Sequence, residues 1–166
     1  MTVVVMGVGG CGKTTFARLL AGGIGGVFID ADDYHSEASI EKMRSGRALD
    51  DRDREPWLRA VAAAAADSAE TPVVACSALK RSYRDILRAA APVVFLHLDV
   101  PREVVNFRVL TRADHFFSEE LVASQFDALE PLGPDEHGVV LDGTLPLPEL
   151  LDTACSYLEG RPDRCR

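Results

Sequence analysis

Gly7-Val8-Gly9-Gly10-Cys11-Gly12-Lys13-Thr14 fits the spacing G-x-x-x-x-G-K-[ST] and is followed by Thr15. The spacing has a physical purpose. Glycines let successive backbone N–H groups turn inward around an anion, and a helix beginning near Lys13 adds the positive end of its dipole. Lys13 then reaches the β- and γ-phosphates of a bound nucleoside triphosphate, and the Thr14 hydroxyl is a Mg²⁺ ligand. Residues 7–15 are therefore expected to hold the nucleotide.

Other chemistry-bearing residues fall into short groups farther along. Asp30, Asp32, Asp33 and His35 bring three carboxylates and an imidazole together. They can order Mg²⁺ through water, accept a proton from a substrate hydroxyl, or simply cap the next helix. Residues 36–54 follow, dense in both signs of charge, and suit either ordinary surface or a segment folding over a polar substrate. Lys80, Arg84 and Arg88 stand four residues apart and share a helix face. That face is either solvated or turned, at Lys80 and Arg84, toward an anionic substrate group. Arg108 and Arg112 repeat the four-residue spacing ahead of Asp114-His115-Phe116-Phe117. They read as a lid that lowers cations onto transferring phosphates, or as partners of Asp99 and Glu103. His97, inside an apolar run, reads as a strand histidine, and residues 142–146 follow the last apolar run as a candidate adenine edge.

Something must hold these groups at one place. Apolar β-type runs recur at residues 3–6, 27–29, 72–76, 93–98 and 139–141, with helix-length patterns between them. A helix running from near Lys13 closes at Gly22-Gly23, another is expected over 56–69 with Pro56 in its first turn, and a third over 80–90. Continuous apolar strands alternating with helices predict a five-stranded parallel sheet covered on both faces. Ligands of such sheets sit at the carboxyl ends of the strands, where each group above begins.

The 166 residues, 47% hydrophobic and 27% charged, suit one domain over 1–166 with a lid near 108–124. A net charge of −8 disfavours nucleic acid as a partner. The four cysteines, Cys11, Cys76, Cys155 and Cys165, lack metal-ligand spacing and fit reduced thiols in a cytoplasm. No run reaches the length of a membrane span, and the N-terminus lacks the basic region of a signal peptide.

Longer patterns carry a resemblance. Asp30-x-Asp32-x-x-His35, Ile40-Glu41-Lys42-Met43 with Gly46, Asp53-Arg54-x-Pro56-Trp57-Leu58, Cys76-Ser77-Ala78-Leu79-Lys80 with Tyr83-Arg84-Asp85, and His115-Phe116-Phe117 with Gln125-Phe126 together resemble the short, shikimate-kinase-like gluconokinases. The resemblance runs from the phosphate loop almost to the last helix. It implies an α/β P-loop NTPase fold of the nucleoside and shikimate kinase type, and ATP- and Mg²⁺-dependent phosphorylation of D-gluconate at its 6-hydroxyl in a cytoplasmic homodimer. Within it, Lys13, Asp32, Arg108 and Arg112 are catalytic. Thr14 and Asp30 hold the metal, and Asp32, His35, Arg54, Lys80 and Arg84 meet gluconate. The sequence departs from the family at Ala31, Ser36, Ser39 and Asp114, where Gly, Pro, Asn and Gly are common. The rivals are a kinase for another small anionic alcohol such as shikimate and a nucleotide-sensing switch.

Overall fold

Every residue of β1 (Thr2–Met6) is buried, which requires cover on both faces and a neighbour on each side. The computed structural model, which describes residues 1–111 and 119–160, supplies both. β1 lies at the centre of a five-stranded parallel sheet with β2 (Val27–Asp30), β3 (Pro72–Ala75), β4 (Val93–Asp99) and β5 (Gly138–Asp142), in the order β2-β3-β1-β4-β5. This is the parallel α/β sheet of the P-loop NTPases that the sequence predicts.

The two-residue period of a strand divides the core. Val3 and Val5 face a cluster with Phe16 and Leu20 of α1 (Lys13–Gly23) and Leu150 and Leu158 of α7 (Leu147–Glu159). Val4 and Met6 face the opposite layer, with Trp57, Leu58 and Val61 of α3 (Asp51–Ala66) and Tyr83 and Leu87 of α4 (Arg81–Ala90). The remaining helices are α2 (Glu37–Arg44), α5 (Arg102–Leu110) and α6 (Glu119–Ala128). No helix among the described residues is long and apolar enough to cross a membrane.

The start of α3 corrects an expectation. The helix begins at Asp51, and Pro56 lies inside it. Asp50 accepts the N–H groups of Arg52 and Asp53, and the Asp53 carboxylate accepts the Asp50 N–H, a reciprocal capping box. The three backbone donors satisfied in this box outweigh the one helical hydrogen bond that Pro56 cannot make. The extra turn carries Asp51 and Arg54 toward α4.

Register fixes the working edge. Asp30 at the end of β2 lies beside Ala75, and Ala75 beside Val5; across the centre Met6 lies beside His97, and Asp99 beside Asp142. The loops that follow all five strands therefore leave the sheet on one side.

Candidate active site

The first of these loops joins β1 to α1. Gly7 has a φ of +136°, and a Cβ on it would lie 2.8 Å from the Leu98 carbonyl oxygen, so only glycine lets the chain turn there. Gly12, at a φ of +104°, is the N-cap of α1 and brings no side chain to its first N–H groups. Those donors are left to an external acceptor. Lys13 Nζ donates to the Val8 carbonyl at 2.9 Å, lying back along the loop. Gly10, Gly12, Lys13, Thr14 and Thr15 line the cleft so formed. Free helix N–H groups, a lysine and a hydroxyl around one concavity are the donor set that a polyphosphate and its Mg²⁺ require.

Arg108 approaches this loop from α5. Its guanidinium donates to the Cys11 carbonyl at 3.1 Å and to the Gly143 carbonyl at 3.2 Å, tying the phosphate loop to the chain after β5. These backbone partners, and not Asp99 or Glu103, are what it meets. Cys11 is 2% exposed, and burial pushes the Cys76 thiol up to about 12, so both are packing residues. His97 is likewise buried, which lowers its pKa and keeps it neutral.

At the end of β2, Asp30 accepts the Asp32 N–H at 3.2 Å and opens a 3₁₀ turn (Ala31–Tyr34). The two carboxyls are driven apart. Burial raises the pKa of Asp30, whereas contact with His35, whose Nε2 is 3.7 Å from Asp32 Oδ1, lowers that of Asp32. Lys13 acts on both, favouring their charged forms.

His35 is fixed by stacking on Trp57, with ring centroids 4.3 Å apart, while Trp57 Nε1 donates to the Ala31 carbonyl at 2.6 Å. With Nε2 turned to Asp32, the buried His35 Nδ1 has no hydrogen-bond partner among the described residues. An acceptor of that kind suits a hydroxyl. Two of the departures from the family are used together: Ser36 caps α2 through the Ser39 N–H, and the two hydroxyls hydrogen bond at 3.0 Å.

A third group forms between α3 and α4. Asp51 Oδ1 accepts Lys80 Nζ at 2.8 Å and the Tyr83 hydroxyl at 2.5 Å. Arg54 lies over the Tyr83 ring, 5.6 Å from its centroid, and donates from Nε to the Leu49 carbonyl. Lys42 closes the preceding loop on Asp53 at 2.5 Å. Lys80 and Arg54 thus share one aromatic floor, the Tyr83 ring.

Arg84 is a correction. Its side chain is fully buried, and its Nε, Nη1 and Nη2 donate to both Glu136 carboxylate oxygens and to the carbonyls of Ala78, Leu79, Glu130 and Pro131. All five N–H donors are committed, so none is left for a substrate carboxylate. Arg88 pairs with Asp85 and Asp135. Arg112, with Asp114, His115, Phe116 and Phe117 of the expected lid, lies outside the described residues.

Sequence reasoning assigned no catalytic or binding role to Asp51, Tyr83, Trp57 or Gln125, the last read only as part of a helix bracing the lid. Three of the four stood in the quoted motifs. Asp51 had a local signal as well, at the first position of a helix three residues ahead of Arg54. Gln125 Oε1 accepts the Gly9 N–H at 2.6 Å across 116 residues, a contact that no spacing announces. Among the described residues no three His, Cys, Asp or Glu side chains gather as a metal site, so a metal there would rely on Thr14, Asp30 and the phosphates themselves.

Comparison with known proteins agrees with this geometry. A family model described as an AAA domain matches residues 3–132. The thermoresistant gluconokinase of Escherichia coli (strain K12) is 40% identical over 142 residues, spanning 83% of this chain and 81% of the relative. The unliganded structure of a sugar kinase from Janibacter sp. HTCC2649 is 46% identical with a TM-score of 0.89, covering 98% of this chain and 96% of the other. A gluconokinase structure from Sinorhizobium meliloti 1021 is 39% identical with a TM-score of 0.87, covering 95% and 91%.

Proposed function

The chain belongs to the gluconokinase family, and we propose that it transfers the γ-phosphoryl group of ATP to the 6-hydroxyl of D-gluconate, giving 6-phospho-D-gluconate. The observation that carries this reading is the register of the sheet. Val5, Ala75 and Asp30 end side by side, so the phosphate loop, the Lys80 loop and the Asp30–His35 turn leave one edge together.

The loop from Gly7 to Thr15 binds the polyphosphate through its N–H groups, and Lys13 holds its outer phosphates. Thr14 and, through water, Asp30 are the residues that would hold Mg²⁺. Bound there, the ion would supply positive charge to offset that of the phosphates. Asp32, kept ionised by His35 and Lys13, orients the acceptor hydroxyl and takes its proton. His35 Nδ1 accepts a second sugar hydroxyl, and Lys80 and Arg54 bind the carboxylate. Arg108, already on the loop carbonyl of Cys11, neutralises the transferring group together with Arg112. Family membership also supports a cytoplasmic homodimer as part of this reading.

A coupled assay of ADP release over a panel of sugar acids and shikimate tests the substrate. Gluconate-dependent release supports the reading, and release only with shikimate replaces it. Asp32→Asn is expected to lower kcat by roughly 10²- to 10⁴-fold with little change in affinity for a non-hydrolysable ATP analogue. Wild-type turnover in that variant would remove Asp32 from the proton transfer.

A further inference from the structure

One short stretch of chain touches both halves of the site. From α6, Gln125 Oε1 accepts the N–H of Gly9, a member of the phosphate loop, at 2.6 Å. Five residues later Glu130 engages the other half three times. Its N–H donates to the Leu79 carbonyl at 2.8 Å, its carboxylate accepts the Arg81 N–H at 2.5 Å, and its carbonyl accepts Arg84 Nη1 at 3.1 Å. Leu79 and Arg81 flank Lys80.

The segment being held is under strain. Ala78 has a φ of +44°, a left-handed conformation that a residue with a Cβ adopts at a cost. Such a backbone persists only where its surroundings over-determine it, and the clamps on the Ala78 and Leu79 carbonyls do so. The phosphate loop is fixed at its outer turn by a residue 116 positions away. Gly9 has no side chain to anchor it, and its N–H donates to Gln125 of α6.

We infer that Gln125 is a positioning residue of the phosphate loop and that, with Glu130, it sets the register between the two substrates. Gln125 acts through the Gly9 peptide and Glu130 through the Leu79–Arg81 backbone. In-line transfer demands donor and acceptor atoms within about 3–3.5 Å, so a rigid link between the loops that carry them has a direct catalytic use. The inference rests on the kinase reading above for the identity of the acceptor, but not for the donor half.

The full chain is tested as Gln125→Ala, Gln125→Asn, Glu130→Ala and the Gln125→Ala/Glu130→Ala pair. Titration calorimetry with a non-hydrolysable ATP analogue comes first, because it needs no gluconate. Gln125→Ala is expected to weaken the analogue by about three- to tenfold, the scale of one lost hydrogen bond. Glu130→Ala, which removes the acceptor of the Arg81 N–H, should leave that affinity intact and raise the KM for gluconate. Since both residues serve one link, the double variant should lose less kcat than the product of the two single losses.

Unchanged analogue affinity in Gln125→Ala overturns the inference, including when the variant melts at a lower temperature, since that is the signature of a merely structural residue. Multiplicative losses in kcat overturn the link. Where the alanine variant does not fold, Gln125→Asn, which draws the carboxamide back by one methylene, gives the same decision. A wild-type chain that binds the analogue but releases no ADP with gluconate sinks the functional reading and leaves the Gln125 titration decisive.

Discussion

The two halves of the site are built differently. The donor half is one continuous stretch whose working parts are backbone N–H groups, three glycines at positive φ and a single lysine. The acceptor half is assembled from side chains of three separate segments, the turn after β2, the start of α3 and the start of α4. Hydrogen bonds and ion pairs between residues 26 to 52 positions apart hold it together. A backbone cradle needs little beyond its own loop and the helix behind it. A side-chain cradle needs a brace, and here the brace is the chain between α6 and β5.

The largest effect is expected where that brace is buried. Arg84→Ala would leave the Glu136 carboxylate, itself fully enclosed, with only the Gly133 N–H among the described residues, and would strand the carbonyls of Ala78, Glu130 and Pro131. Removing one partner of a buried ion pair costs about 3–5 kcal/mol. For a chain of this size that lowers the melting temperature by roughly 6–20 °C. Thermal unfolding followed by circular dichroism measures it. A shift under about 2 °C would mean that the brace does not hold the acceptor half, and the contrast between the halves would fail.

The same contrast explains what the sequence could and could not say. All five strands, their parallel order and the phosphate loop follow from local patterns, because apolar runs and glycine spacing are properties of neighbouring residues. The turn after β2 was legible as chemistry but not as geometry. Nothing in Asp30 to His35 shows that Asp32 and His35 pair, or that Trp57 fixes the ring. Arg84 misled for a related reason. Its four-residue spacing from Lys80 is real, but on a helix that spacing equally describes an arginine turned inward, and only the distant Glu136 decides. The start of α3 was misplaced because the proline signal was weighed without the capping box formed by Asp50 and Asp53.

A smaller effect would sharpen the comparison at the acceptor itself. Lys80→Met keeps the aliphatic stem beside the Tyr83 ring and removes the charge. A lost charge-assisted hydrogen bond to a carboxylate should raise the KM for gluconate by about tenfold or more, with the KM for ATP within about twofold of wild type. Initial rates with each substrate varied in turn separate the two. A rise in the ATP constant alone would place Lys80 with the donor half and blur the division drawn here.

The smallest effect concerns the exposed rim of the brace, where Asp135 pairs with Arg81 at 2.6 Å and with Arg88 at 3.4 Å. The Arg81 guanidinium holds the Asp135 carboxyl at about 2, below its ordinary 3.8. A carboxyl lowered by folding stabilises the fold above its unfolded pKa, and that contribution is lost as pH falls through its folded value. Stability from this pair is therefore whole above about pH 4 and disappears toward pH 2. Both partners are about half exposed, so the effect is small and screened by salt. Melting curves at pH 5 and pH 2.5 should fall slightly less for Asp135→Asn than for wild type at low ionic strength, and equally in 1 M salt. The backbone N–H groups of the phosphate loop do not titrate in this range, so acid should loosen the acceptor half before the donor half. Identical pH dependence in wild type and variant at low salt would show that the rim pair adds nothing to the brace, leaving the buried Arg84–Glu136 pair to hold it.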